Sequence, residues 1–284
     1  MNTRELPTVE AIQAFVCPLE EDEYAEGLVL YRQRTDVAER MLHWFRTFAE
    51  QSISAEPANL SLLSIGCGNG NFDLPALDIL KSKFQTLQYA AIEPNQTLCQ
   101  QIAIELKEPQ NANVSFRLRC CRFEELSTAE NFDLIVFANC LNFIADRRHA
   151  LAKALSMLNS GGCVLIFNPT RNGYQDLRLE LSARVGGYVT NVCLPKEIEE
   201  VLGSLDAEFV CDYLKSETDV TDCFDGTSYA GARLLDFILG GKIPHVDNEL
   251  RNTVTNNLKS LCSARDGRMF MPHSVAVFQA RTNR

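Results

Sequence analysis

The chain has 284 residues, of which 46% are apolar and 23% charged, with a formal net charge of −10. That length and apolar content can bury a full core, and we expect one elaborated domain in a monomer; the acidic balance excludes a nucleic-acid partner, which would need a basic face. No apolar run is long enough to span a bilayer and Met1–Pro7 lack the basic-then-apolar layout of a signal peptide, so a soluble, cytoplasmic protein with no membrane partner is expected.

Near the N-terminus, Glu20-Glu21-Asp22-Glu23 reads as a solvated face, with attraction of a cationic substrate as the alternative. From Tyr31 to Gln51 apolar residues recur at helical spacing (Val37, Met41, Trp44, Phe45, Phe48), which predicts one amphipathic helix ahead of the first strand. A strand over 60–65 follows, then a helix opened by Asp73 as a cap with Pro75 in its first turn, then a strand over 88–93. A helix over 96–107, a strand over 113–119, the apolar run Phe132–Phe137, a helix over 147–158 ending at Gly161-Gly162, and a strand over Cys163–Phe167 continue the alternation. Repeated strand-helix alternation implies an α/β, Rossmann-like sheet wound on both faces, with ligands beyond the C-terminal ends of its strands. After Pro169 the expected elements are helices over 174–184 and 195–203, a strand over 207–215, helices over 228–239 and 247–261, and a last strand over 273–280. The roughly fifty residues between the final two strands exceed what a hairpin needs and point to a helical substrate cover. Eleven cysteines are present, an odd number with no C-x-x-C spacing, so neither a disulfide framework nor a metal site is expected.

The most informative stretch is the first strand, which ends in Gly66-Cys67-Gly68-Asn69-Gly70 and is followed by Ile92-Glu93-Pro94 at the end of the second. Glycines let bare backbone approach a ligand at a helix N-terminus, and an acid at the second strand end is placed to accept hydrogen bonds from both hydroxyls of a ribose. The pair points to a nucleoside cofactor. A dinucleotide fingerprint, G-x-G-x-x-G, would require glycine where this chain has Asn71. With no pyrophosphate to cradle, the reading moves to S-adenosylmethionine, whose adenosine and methionine portions lie across the same strand ends.

With the glycine turn, the acid, Arg122-Phe123-Glu124-Glu125 and Phe132-Asp133-Leu134-Ile135 in this order, the chain resembles the class I S-adenosylmethionine-dependent methyltransferases over residues 58–168. Leu63-Ser64-Ile65-Gly66, Glu93-Pro94, Asp222-Cys223-Phe224, Leu235-Asp236-Phe237 and the aromatic segment from Tyr24 extend the likeness to the histamine N-methyltransferases across most of the chain. The resemblance implies a seven-stranded sheet, a cofactor core at 58–168, an N-terminal helical segment at 1–57 covering the active site, and a C-terminal part at 169–284 with a helical substrate-binding insertion. It implies a small-molecule N-methyltransferase with Gly66, Cys67, Gly68, Glu93, Arg122, Phe123 and Asn139 on the cofactor. It also implies substrate contacts at Val37, Asn139, Phe143, Tyr174 and Arg178, where this chain differs from the family's residues.

Methyl transfer is an in-line displacement that asks the enzyme to position a lone pair and exclude water, not to supply a covalent nucleophile. Asn139, just past the fourth strand, is the first choice for a polar contact near the transferred methyl, and Asn142 is its rival. Tyr24, Phe143, Tyr174 and Phe237 are candidates for an aromatic box around a flat ring or a cation. Asp36 and Glu39 are candidates for an ammonium partner, Arg178 for a carboxylate, and His273 for a base or polar pocket residue. The alternatives are an oxygen, sulfur or carboxylated-amine acceptor, or an S-adenosylmethionine-binding protein without turnover.

Overall fold

The computed structural model describes residues 17–53, 59–185, 192–242 and 248–283. Two compact units form, one from Val37–Thr170, Cys193–Lys215 and Ser274–Arg284, the other from Met1–Asp36, Arg171–Val192 and Ser216–His273.

The first unit is built on seven strands: β1 (Asn59–Ile65), β2 (Thr86–Ile92), β3 (Val114–Arg119), β4 (Phe132–Ala138), β5 (Leu158–Pro169), β6 (Ala207–Leu214) and, last in the chain, Val275–Thr282, which becomes β10 in chain order. The order across the sheet is β3-β2-β1-β4-β5-β10-β6. The first five run parallel, and β10 is antiparallel to both β5 and β6. Helices α2 (Val37–Ser52), α3 (Asp73–Lys81), α4 (Gln96–Glu105), α5 (Arg147–Ser156) and α7 (Pro195–Ser204) belong to the same unit. This is the expected doubly wound α/β sheet. Its central strands are buried almost continuously, with Leu63, Ile135, Phe137, Val164, Ile166 and Phe278 at 1% exposure or less, as strands covered on both faces require. The strand order reverses between β1 and β4, which opens the crevice where such sheets bind ligands.

Asp133, the second residue of β4, joins three strands. Its Oδ2 accepts from the Ser61 amide at 2.8 Å and the Ser61 hydroxyl at 2.7 Å, and its Oδ1 accepts from Asn159 Nδ2 at 2.7 Å. One carboxylate thus ties β1, β4 and β5 together at their N-terminal ends, far along the strands from the crevice. Asp133→Ala is expected to cost about 2–4 kcal/mol, because it strands donors of several charge-assisted bonds; urea denaturation would measure the loss.

Two expectations need local correction here. Asp73 does not cap α3: Phe72 occupies the cap position with no side-chain bond, and the Asp73 carboxylate instead accepts from the Tyr89 hydroxyl at 2.9 Å. Strand β5 begins before Gly161-Gly162, and Gly162 is a glycine because a Cβ there would meet carbonyls of Asn159 and Phe132 at 3.0 Å.

The second unit contains α1 (Glu21–Arg32), α6 (Tyr174–Val185), α8 (Tyr229–Leu239) and α9 (Asn248–Leu261) with a small antiparallel sheet. Its strands β7 (Glu217–Asp219), β8 (Ser263–Arg265) and β9 (Arg268–Pro272) have β9 in the middle. Helices α1 and α8 touch closely at Gly27, where a Cβ would lie 2.7 Å from Phe237 Cβ. The single helix expected over 31–51 is in fact two, α1 and α2. Residues 34–36 leave the helical path because they edge the small sheet: Arg34 O accepts from Asp219 N at 2.8 Å, and Asp36 Oδ1 accepts from Glu217 N at 2.9 Å.

The acidic run opens α1. Glu20, Glu21 and Asp22 are solvated, as expected, but Glu23 is not idle: its carboxylate accepts from Lys242 at 2.7 Å and Arg233 at 3.1 Å, and from the Glu20 amide at 3.0 Å. The Lys242 hydrogen bond, then the Glu20 amide, hold its carboxyl down at about 2 against an ordinary 4.5. A folded-state value below the unfolded one means that the contribution is complete above pH 4.5 and disappears as pH falls toward 2. Glu23→Gln should therefore flatten the acid limb of thermal stability between those values while leaving little difference between unfolding curves at pH below 2.

Candidate functional site

In the sheet unit, the C-terminal ends of β1, β2 and β4 converge on the glycine turn. Gly66, Gly68 and Gly70 all have left-handed backbone, with φ of 69°, 59° and 85°. At Gly66 a Cβ would meet Cys140 Cβ at 2.6 Å, so the turn and the end of β4 can pass only because that residue has no side chain. The amides of Gly66 and Cys67 both donate to Ile92 O, at 2.8 and 3.2 Å, extending the β1–β2 ladder into the turn.

Glu93, 6% exposed, sets the geometry of this corner. Its Oε2 accepts from the Gly68 amide at 2.8 Å and its Oε1 from the Asn95 amide at 2.9 Å. Asn95 in turn caps α4 through Leu98 N at 3.0 Å. A carboxylate held at the end of the second strand is the kind of acceptor that binds a ribose diol in such sheets. A glycine cradle that excludes a Cβ, with a rigidly held carboxylate facing it from the neighbouring strand end, fits an adenosine ribose.

On the next corner, a short helical turn over Phe123–Glu125 follows β3. The Arg122 amide donates to Glu125 Oε2 at 3.1 Å, and the Arg122 side chain is exposed, so it is the main chain at Arg122 that is held. Phe123 is 3% exposed, its ring covered by Lys153 Nζ 4.6 Å from the centroid. The same ammonium donates to the carbonyls of Phe123 and Leu126, both at 2.7 Å, and latches the turn to α5. Nothing in the sequence singles out Lys153, because its partners are carbonyls.

Asn139 occupies the end of β4 with φ of 58°, a left-handed conformation that a non-glycine residue adopts at a cost. Its backbone amide donates to Phe167 O at 2.8 Å and its side-chain amide to Met41 Sδ at 3.4 Å, while its buried Oδ1 has no hydrogen-bond partner. Asn139 thus joins left-handed backbone to a buried, unpartnered carbonyl at the carboxyl end of β4, the end at which such sheets bind ligands. Asn142 is different. Its Oδ1 accepts from the Cys193 amide at 2.7 Å, so that side chain holds the segment entering α7. Phe143 is 48% exposed on the turn after β4, and Val37, 5% exposed, is packed at the start of α2.

In the helical unit, four of the expected substrate residues gather with one that the sequence reading missed. Tyr24 and Phe237 lie 5.4 Å apart by ring centroid, and Tyr31 lies 5.2 Å from Phe237 and 5.8 Å from His273. Tyr174 packs 5.0 Å from His273, with Arg178 4.9 Å over its ring. Tyr31 is the missed residue. It stands two helical turns beyond Tyr24 on α1, so the shared face was a readable signal. His273 is 2% exposed and sits in the short break between β9 and β10, whereas the sequence placed it at the edge of a last strand over 273–280; its amide donates to Ser216 O at 2.8 Å. Burial drives its imidazole down to about 3, which outweighs the opposing effect of Asp36, so it is neutral at physiological pH. The Tyr31 hydroxyl bonds to Nδ1, and Nε2 has no partner among the described residues. Asp36 itself is engaged on the Glu217 amide, and Glu39 is exposed on α2.

Among the described residues no group of histidine, cysteine and acidic side chains is arranged to hold a metal, and no helix is long and apolar enough to cross a membrane.

A family profile described as a methyltransferase domain matches residues 63–164. The chain is 25% identical to histamine N-methyltransferase A of Xenopus laevis over 278 residues, covering 89% of this chain and 93% of the relative. It is also 25% identical to carnosine N-methyltransferase 2 of Gallus gallus over 245 residues, covering 79% and 75%. Among solved structures, the YcgJ protein of Bacillus subtilis superposes with a TM-score of 0.54 at 15% identity, covering 86% of this chain and 98% of that one, a likeness of fold.

Proposed function

Because this chain is a class I S-adenosylmethionine-dependent methyltransferase, we propose that it methylates a nitrogen of a small amine or imidazole compound. The observation that carries the reading is Asn139, whose buried, unpaired Oδ1 at the end of β4 is suited to accept a hydrogen bond from an N–H of the acceptor. The similarity along most of the chain to enzymes named for histamine and carnosine N-methylation supports nitrogen as the acceptor atom.

Bound S-adenosylmethionine supplies an electrophilic methyl group on a sulfonium. Glu93 holds the ribose, the turn at Gly66, Cys67 and Gly68 accommodates the methionine portion, and the main chain at Arg122 and Phe123 borders the adenine. Asn139 fixes the acceptor nitrogen so that its lone pair points at the methyl, a contribution of orientation that replaces a strong base. A neutral imidazole or amine is already nucleophilic, and the proton that leaves the methylated nitrogen passes to solvent.

The reading is tested by incubating the protein with S-adenosylmethionine and histamine, histidine, carnosine, phenylethylamines, indolethylamines and matched thiols and phenols, with mass spectrometry of the products. An N-methylated product from at least one amine or imidazole supports it. Products only from thiols or phenols would move the acceptor to sulfur or oxygen.

A further inference from the structure

Lys153 spends its hydrogen-bonding capacity on one short stretch of main chain. Its ammonium, in the last turn of α5, donates to Phe123 O and Leu126 O at 2.7 Å each and to Glu124 O at 3.3 Å. An ammonium has three donors, so all of them go to backbone carbonyls. Burial lowers the pKa of this group from its ordinary 10.5, against the opposing charge of Glu124. Partial loss of water strengthens the bonds that replace it.

The stretch held in this way has few other restraints. Residues 120–131 join β3 to β4 with the turn over Phe123–Glu125 as their regular structure. The Phe123 ring is gripped from two directions, by the ammonium 4.6 Å from its centroid and by Phe137 of β4, which meets it edge-on at 5.8 Å and 88°. Phe123 belongs to the same buried cluster as Ile65 and Ile92, the last residues of β1 and β2, which precede Gly66 and Glu93. The turn and the cofactor corner therefore share one core, and Lys153 sets where the main chain of the turn lies above it. Main-chain carbonyls fixed from α5 hold their place whatever side chains the turn carries, which separates this latch from an ordinary surface ion pair.

Resting on the reading that the main chain at Arg122 and Phe123 borders the adenine, we propose that Lys153 is a positioning residue for the cofactor: its ammonium, bonded to the carbonyls of Phe123, Glu124 and Leu126, presets the turn against which the base is read. Lys153 does not touch the cofactor in this account. It acts by holding the turn in its binding conformation before the base arrives, so the ordering cost is not met on binding.

The test is isothermal titration of the full chain with S-adenosylhomocysteine and with S-inosylhomocysteine, in which oxygen replaces the amino group of the base. The wild type should prefer the adenine compound by about ten-fold or more, as a site that hydrogen-bonds a group rejects the analogue lacking it. Lys153→Met keeps an apolar stem over Phe123 and removes the donors; it should bind S-adenosylhomocysteine about ten-fold more weakly and lose most of the preference. Lys153→Arg, which restores charge and donors, should recover most of both. Should Lys153→Met not fold, Lys153→Gln, with fewer donors and no charge, should show the same narrowing. A preference that the Lys153 variants leave unmoved, including equal weakening toward both ligands, overturns the proposal and leaves the adenine reading standing. A wild type that binds both compounds equally, or neither, overturns the adenine reading and the proposal with it.

Discussion

Replacement of Glu93 by alanine is expected to weaken S-adenosylmethionine binding about 100-fold or more, a loss of about 2.7 kcal/mol. The size follows from what the carboxylate does. It holds the Gly68 amide at 2.8 Å and the Asn95 amide at 2.9 Å, so its removal frees both the glycine turn and the N-terminus of α4, besides deleting the acceptors for ribose. A charge-assisted hydrogen bond contributes about 1.5–3 kcal/mol, so loss of the ribose contacts alone reaches the expected range. Titration calorimetry with S-adenosylhomocysteine reads the effect. Glu93→Gln, which keeps the shape but only one acceptor oxygen, should fall between the wild type and alanine. Unchanged affinity in Glu93→Ala would place the nucleoside elsewhere.

The second large effect is expected at Asn139. Substitution with alanine removes the unpaired Oδ1 and leaves a Cβ at φ of 58°, so stability and chemistry would both suffer. Asn139→Gly separates them, because glycine adopts that backbone without strain. We expect kcat to fall about 100-fold in Asn139→Gly, as is typical when one preorganised polar contact in an active site is lost, with S-adenosylmethionine affinity changed only slightly. Steady-state kinetics on whichever acceptor the product screen identifies makes the comparison. A glycine variant with full kcat would mean that the left-handed backbone, and not the amide, is what this position needs.

The difference between what was legible in the sequence and what was not follows the range of the interactions. The parallel strands were readable because each is a short apolar run closed by a turn signal, and the glycine turn and Glu93 because strand-end chemistry imposes fixed residue types. The break between α1 and α2 was invisible, since Thr35, Asp36 and the Arg34 carbonyl leave the helix to bond a strand more than 180 residues further on. Strands β7 and β8 have three residues each, too few to show a period. The α1 helix itself has a weak apolar stripe, because the close approach at Gly27 is made by a residue without a side chain.

Among the site residues, the same rule decides. Gly66, Gly68, Glu93 and Asn139 stand at strand ends whose positions the alternation already fixes. Tyr24, Tyr174, Phe237, Arg178 and His273 come from four separated stretches, and their grouping became visible only when α1, α6 and α8 were placed with the break after β9. Asn142 illustrates a limit of spacing. It lies three residues beyond Asn139, yet its side chain accepts from the Cys193 amide, a partner fifty-one residues away that no local pattern could indicate.

Carbon-13 NMR of the product formed from S-adenosylmethionine labelled in its methyl group tests the central claim most directly, because the shift of the transferred carbon reports the atom that received it. The expected spectrum shows the label as an N-methyl resonance on an amine or imidazole, in a reaction that Glu93→Ala suppresses. An O-methyl or S-methyl resonance, or a label that never leaves the cofactor with any nitrogen acceptor in the panel, would contradict nitrogen methylation by this chain.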